Sequence, residues 1–553
     1  RKLVQYETDG ICPPWQNLPY EILKNIFDFA LASYPDSKGS SWLLGAAKTC
    51  KNFSEPALSS LYYSPDLSKS TKIELFFDHM MTQAEGKYLN YHNKVKRLSI
   101  NTRILGTTFD LIALIRQLPQ LAYLDLWSDK DYTLRGLAQV ANERYWQPPS
   151  NLVEELGQIN LPLKSWRWNM RMMPMPLDSV DRWNAMKQFH LQKPLNRIQQ
   201  LTLTNFNYAV KENEFFLDTT LATLNMAHSA HALSYLPDLD PEIPIEEAII
   251  ATDPFSDTLK SLPNIKSLRF EFCNIVQGPW LLRLPHSLNC LELHCSSFLT
   301  SWHLERYLQT HGRSLRKLVL DHNPTLNLNF LASLQVSCPD LEEISMDLIY
   351  TNPNRADEII PANFDEMLDK RCVPTWPKSL RKIQILHLRQ WESEAAVVFF
   401  SSIMDASKNL RGLRHLILSA SIDLDWRERT TFRDKWVSDF ERVFLRKSDP
   451  PAAYLASKKA FRKWKGPQTH ASPAKSERSD ASDSARYLRP RRATHDDLAA
   501  SLRSQVVVAL GGASEDGMCD VIDIRIDNSR PRENEFRESD FLDSEVSGDE
   551  DWA

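Results

Sequence analysis

A short string, apolar-x-x-apolar-x-apolar, returns through the middle of this chain, and its spacing limits the folds open to it. It runs Val95-Lys-Arg-Leu-Ser-Ile100, Leu121-Ala-Tyr-Leu-Asp-Leu126, Ile198-Gln-Gln-Leu-Thr-Leu203 and Ile265-Lys-Ser-Leu-Arg-Phe270. It continues as Leu288-Asn-Cys-Leu-Glu-Leu293, Leu315-Arg-Lys-Leu-Val-Leu320, Leu341-Glu-Glu-Ile-Ser-Met346, Leu380-Arg-Lys-Ile-Gln-Ile385 and Leu413-Arg-His-Leu-Ile-Leu418. The alternating apolar pair marks a strand with one buried face. Leu98 to Leu124 is 26 residues, Leu291 to Leu318 is 27 and Leu318 to Ile344 is 26, enough for one strand and one return helix. The segments between fit that helix: Phe109 to Leu118 stops before Pro119, and Trp302–His311 and Ala395–Ala406 carry apolar faces. No such unit buries its apolar face alone, so stacked neighbours supply the core. A doubly wound sheet also alternates strand and helix, but the in-register spacings favour a solenoid.

The pattern is irregular. Leu201 to Leu268 spans 67 residues and implies an insertion or a degenerate copy, while Leu163-Lys-Ser-Trp-Arg-Trp168 reads as a divergent strand. The strings resemble the strand half of a leucine-rich repeat, with the family's strand-ending cysteine or asparagine kept at Cys273 and Asn323. The resemblance implies an α/β solenoid over residues 70–450. With the leucines inward, alternation places Arg97, Ser99, Gln200, Thr202, Glu343, Lys382 and their equivalents on the concave sheet face. The candidates there for holding a protein substrate are Tyr123, Asp125, Trp127, Arg269, Glu271, Glu292, His294, Lys317 and Asp321. Aromatic and arginine side chains on a mixed-charge surface suit protein recognition, although a merely solvated strand face has the same composition.

The N-terminal stretch has another character. In Trp15-Gln16-Asn17-Leu18-Pro19-Tyr20-Glu21-Ile22-Leu23-Lys24-Asn25-Ile26-Phe27, Pro19 and Glu21 suit a first helical turn. Leu18, Ile22, Ile26 and Leu23, Phe27 then make one wide apolar stripe. A second helical pattern, Leu43, Leu44, Ala47, leads to Cys50-Lys51-Asn52-Phe53, and Leu61-Tyr62 closes the stretch. This order of parts, assigned to residues 12–65, resembles an F-box, a helical plug for the Skp adaptor of a cullin-type ubiquitin ligase. Two departures stand out: a long polar loop from Ser33 to Ser41, and Phe53 and Tyr62 where the family more often has tryptophan. The resemblance implies that Leu18, Pro19, Ile22, Leu23, Ile26, Phe27, Leu44, Cys50 and Phe53 face the adaptor.

Composition excludes more than it assigns. The net charge of −5 gives no global electrostatic basis for binding nucleic acid or membrane. No apolar window is long enough to span a bilayer. The chain opens on Arg1, so a targeting signal ahead of it stays open. The eight cysteines show no Cys-x-x-Cys spacing, as suits reduced thiols in a cytoplasmic or nuclear protein. Cys290, Glu292, His294 and Cys295 suggest a metal, but alternation puts Cys295 on the opposite face, so neither a metal nor another cofactor is expected. No nucleophile elbow or phosphate-cradling glycine loop is present, and no enzyme site is expected.

Beyond Asp449-Pro450-Pro451 the composition shifts. Lys458 to Arg492 holds eleven Lys and Arg against Glu477, Asp480 and Asp483, and residues 451–515 read as a disordered basic linker. Its basic clusters are compatible with nuclear import or a nucleic-acid patch. Residues 516–553 combine a strand-like Val521–Ile526 with an acidic tail, similar to the tails of certain fungal F-box proteins. The expected role is a substrate adaptor that joins a Skp-type adaptor, and through it a cullin, to an unnamed protein substrate. A scaffold outside ubiquitylation and a nucleic-acid-associated protein using the linker remain as alternatives.

Overall fold

The structure, a computed structural model, describes residues 17–32, 38–82, 89–106, 109–128, 149, 151–170, 179–191, 195–206, 254–273, 275–276, 278–349, 351–352, 355–359, 364, 366–389, 391–422, 426–446 and 517–528. Leu18–Leu445 and Met518–Ala553 make one compact unit. Of the other, Arg1–Asn17 with Arg446–Gly517, only Asn17, Arg446 and Gly517 are described. The expected basic linker and the acidic residues after Asn528 therefore lie outside the described residues, as do most of the residues between Leu201 and Leu268.

Four helices lead: α1 (Tyr20–Ala32), α2 (Lys38–Ala47), α3 (Lys51–Tyr63) and α4 (Ser70–Met81). The first three enclose a small core of Leu23, Phe27, Leu43 and Ala57. Phe27 meets Trp42 and Phe53 edge-on at 5.9 and 5.5 Å. The amphipathic α4 instead puts Ile73, Phe76 and Met80 into the main core, covering its first repeat.

Eleven strands then form one sheet, all parallel. They are β1 (Arg97–Asn101), β2 (Tyr123–Trp127), β3 (Ser165–Asn169), β4 (Gln200–Thr204), β5 (Ser267–Glu271), β6 (Cys290–His294), β7 (Lys317–Asp321), β8 (Glu343–Asp347), β11 (Lys382–Leu388), β12 (His415–Ile422) and β13 (Val521–Asn528). Strand order follows chain order without reversal, as in a solenoid and unlike a doubly wound sheet. The omitted pair, β9 (Thr351–Asn352) and β10 (Arg355–Ile359), is a separate antiparallel hairpin that no repeat string announces. β4 pairs with β5 in full register despite the long intervening segment. β13 lies beside β12 from His415↔Val521 to Ile422↔Asn528.

The register explains the strings. Leu98, Leu124, Leu201, Leu268, Leu291, Leu318, Ile344, Ile383 and Leu416 stand in one buried row. Helices and short 3-10 turns cover that face: α5 (Leu111–Arg116), α6 (Leu152–Ile159), α7 (Ser179–Leu191), α8 (Pro254–Ser261), α9 (Ser301–His311), α10 (Leu334–Ser337) and α11 (Ser393–Asp405). α12 (Trp426–Phe444) closes the far end, laying Phe432, Trp436 and Phe440 against Phe400 of α11. Close approach is strictest at Gly312, where a Cβ would stand 2.6 Å from Cys338 Sγ and 2.7 Å from Ser337 O.

Both edges of the sheet are tied by backbone. At the leading edge, the residue before each strand donates its N–H to the carbonyl of its equivalent one strand back. Ala122 bonds Lys96, Lys164 bonds Ala122, Gln199 bonds Lys164 and Lys266 bonds Gln199; Asn289, Arg316, Glu342, Arg381, Arg414 and Asp520 continue the series at 2.7–2.9 Å. At the trailing edge, Asn205, Phe272, Cys295 and His322 adopt φ of 55–63° and donate forward to Glu271, His294, Asp321 and Asp347 carbonyls. Cys273 Sγ and Asn323 Nδ2 do equivalent work two repeats apart. Each donates back to the preceding strand, to Leu203 O at 3.3 Å and Leu293 O at 3.0 Å.

Candidate functional site

Two surfaces follow from this architecture, one apolar and one charged. On α1, positions three or four apart share a face. Leu23 and Phe27 occupy the inward face and are buried, so they brace the helix and do not present a surface to an adaptor. This corrects the expectation that both face outward; the stripe is wide enough to serve two faces. Pro19 is exposed, and Ile22, Ile26 and Phe29 are 46%, 40% and 77% exposed. Leu44 of α2 is 43% exposed. Leu18 and Phe53 are half-buried against the small core, and Cys50 is half-buried just ahead of α3. Phe29 was not among the expected residues, although its i+3 spacing from Ile26 is readable.

The charged surface is the sheet's polar face. Arg167 of β3 organises it: Nε contacts Asp125 Oδ1 at 2.5 Å, and Nη1 bonds Thr204 Oγ1 at 2.8 Å and pairs with Glu271. Arg269 holds Glu271 Oε1 at 2.6 Å, at ion-pair distance but off the N–H axis, and reaches Glu292 Oε2 at 3.3 Å. Lys317 Nζ meets Glu292 Oε1 at 2.9 Å. His294 stands between Asp321 at 3.3 Å and Glu292 at 3.6 Å. One ionic chain thus crosses β2 to β7.

The shifts follow from this geometry. Burial alone would lower the Arg167 pKa, but Asp125 and Glu271 outweigh it and raise it. Burial opposes ionised Glu271, yet Arg167 and Arg269 hold its carboxyl below the usual range. For Glu292, burial is outweighed by His294 and Lys317, which bring it down to about 2. His294 is raised, because Asp321 and Glu292 overcome its burial. Burial pushes the Cys290 thiol up to about 11, which keeps it protonated near neutral pH. Among the described residues no group of three His, Cys, Asp or Glu is arranged to hold a metal, and no helix is long and apolar enough to cross a membrane.

These contacts revise the expected substrate face. Glu271 is only 3% exposed and already paired, and Glu292 and His294 are largely covered. They are internal supports, unavailable to a partner without breaking the chain of ions. Asp125, Arg269 and Lys317 keep an open side, and Asp321 a smaller one. Tyr123 lies under Arg97, whose guanidinium is 4.7 Å from its ring centre, and Trp127 Nε1 donates to Ser99 Oγ at 3.1 Å. Arg167 itself escaped the sequence reading. Its strand replaces leucine with tryptophan, but its place two residues into Ser165–Asn169 matches Asp125 and Arg269.

Neither a protein-family model nor a curated protein matches this chain. The solved Rad7 and Elc1 complex from yeast is similar over 76% of this chain and 86% of that one, at 13% identity. The TM-score is 0.33, a level at which the likeness carries no argument about function.

Proposed function

We propose that this chain is the target-recognition subunit of a cullin-type ubiquitin ligase, with α1–α3 as an F-box seated on a Skp-type adaptor. The observation that carries the reading is the row Pro19, Ile22, Ile26 and Phe29, apolar and outward-facing on a helix whose opposite face is already buried. An exposed apolar row on a small helical unit marks a protein contact, and a helix face of this kind suits a hydrophobic groove. The solenoid would hold a target protein beside a transferring enzyme supplied by the rest of the complex, so that proximity is its contribution. No catalytic group of its own is needed.

Purified chain mixed with a Skp-type adaptor should co-elute on size exclusion, and affinity capture should bring down a cullin with it. Capture of adaptor without cullin would favour a scaffold role outside ubiquitylation. Failure to co-elute would remove the proposal.

A further inference from the structure

The cations of the sheet divide into two populations. Within the polar face, Arg167, Arg269 and Lys317 are neutralised by the chain of ions from Asp125 to Asp321. On the leading edge the charge is met only in part, since Arg316 and Arg381 share the single carboxylate of Glu342. The backbone ladder before the strands holds Lys96, Lys164, Lys266, Arg316, Arg381 and Arg414 in one row. The first five of these stand on alternate rungs, before β1, β3, β5, β7 and β11. Rungs are about 4.8 Å apart, so these cations repeat at about 10 Å. Lys164 and Lys266 are exposed and form no ion pair among the described residues. Among the described residues, the Lys96 ammonium bonds the neutral Gln120 Oε1 at 3.0 Å. Burial first, and then the ammonium groups of Lys94 and Lys164, hold the Lys96 amine below the ordinary lysine range. A line of mostly exposed cations on a protein of net charge −5 makes a local positive field that suits an anionic partner.

We infer that this leading edge is the docking row for an extended acidic segment of a partner protein. The inference rests on the reading of the solenoid as the target-receiving part, and gives that target a chemistry. A peptide in the polyproline II conformation advances about 3.1 Å per residue with three residues per turn, so acids at every third position share one face at about 9 Å and match the row. A peptide fits better than a nucleic acid strand because the row is not uniformly positive. Glu342 sits between Arg316 and Arg381, at 3.4 and 3.9 Å, and Asp520 ends the row. A uniformly charged phosphate backbone meets those carboxylates, whereas a peptide can place a neutral or basic residue opposite them. Among the described residues, none of those that form the row is aromatic, so the row itself carries no ring on which bases could stack.

The test uses the full chain and fluorescence anisotropy of a labelled peptide of about 18 residues with glutamate at every third position. Binding is expected, weakening about tenfold between about 50 and about 300 mM salt. Lys164→Glu with Lys266→Glu should weaken it about tenfold or more at unchanged melting temperature. Lys408→Glu, an exposed charge reversal elsewhere, should leave it unchanged. No binding, or equal loss in the Lys408→Glu control, overturns the inference. So does oligothymidylate of equal charge binding as tightly as the peptide. If Asp549→Asn with Glu550→Gln and Asp551→Asn raises peptide affinity about tenfold, the row belongs to this chain's own acidic segment, which also overturns the partner assignment. None of these outcomes depends on the adaptor, so failure here leaves the adaptor reading standing, and the reverse.

Discussion

The α1–α3 unit and the strand sheet solve opposite problems. The sheet encloses every repeated leucine and shows polar groups; the three helices enclose a core of four apolar side chains and leave Ile22, Ile26, Phe29 and Leu44 outside. Apolar residues inside are unremarked, whereas exposed apolar rows and buried charges need a cause. The helical unit has its anomaly outside, where another protein can cover it. The sheet has its anomaly inside, where Arg167 and Glu271 cover each other. On the proposed reading, the helical unit meets its partner on the apolar row, and the sheet meets its own along the edge and not at the ionic centre.

The largest expected effect separates the two cores. Phe255→Ala removes a ring stacked on Phe206 at 5.0 Å and near Trp280, and should cost about 3–5 kcal/mol in chemical denaturation. Adaptor binding below the shifted melting temperature should survive. Loss of binding in the still-folded variant would show that the two cores are coupled.

Next comes the ionic centre. Arg167→Met strands buried Glu271 beside an emptied position and should destabilise by about 3–5 kcal/mol. Adding Glu271→Leu should recover most of that loss, since a matched apolar pair substitutes for a buried ion pair. If the double variant is no better than the single one, Arg167 acts by shape and the ionic account of the sheet face is wrong.

The smallest effects are in pH. His294 has a raised folded pKa, so its stabilisation is present below the unfolded value of about 6.5 and is lost as pH rises through the folded value. The difference in urea midpoint between wild type and His294→Gln should therefore shrink from pH 6 towards higher pH. His190 has the opposite sign. Buried and accepting from Trp168 Nε1 at 3.0 Å, it is lowered to about 3, so stability falls as pH drops below about 6.5. His190→Gln should flatten that acid limb. A parallel response in both variants would contradict the assignment.

Much of the sheet was legible because a strand with one buried face must repeat its apolar residues at period two. Each regular string marks a strand, and Trp166 and Trp168 still betray β3. The hairpin at Thr351–Ile359 was not legible, since neither of its strands carries the string. On α1 the limit was angular: Ile22, Leu23, Ile26 and Phe27 are equally apolar, and periodicity does not say which edge of a wide stripe finds a core. Only the positions of Leu43 and Ala57 decide it. On the sheet, alternation identified the outward residues but not their mutual neutralisation, because Arg167 and Glu271 are 104 residues apart in the chain. The leading edge escaped notice since Lys96, Lys164 and Lys266 align only once the register is known.

The most direct test of the central claim is titration calorimetry of a Skp-type adaptor into three chains: wild type, Ile22→Asp with Phe29→Asp, and Leu23→Ala. The account predicts that the surface pair abolishes binding with stability within about 0.5 kcal/mol of wild type. Leu23→Ala should instead lower stability by about 2–5 kcal/mol and bind wherever α1–α3 remains folded. Adaptor binding unchanged by the surface pair, or absent from wild type, would contradict it.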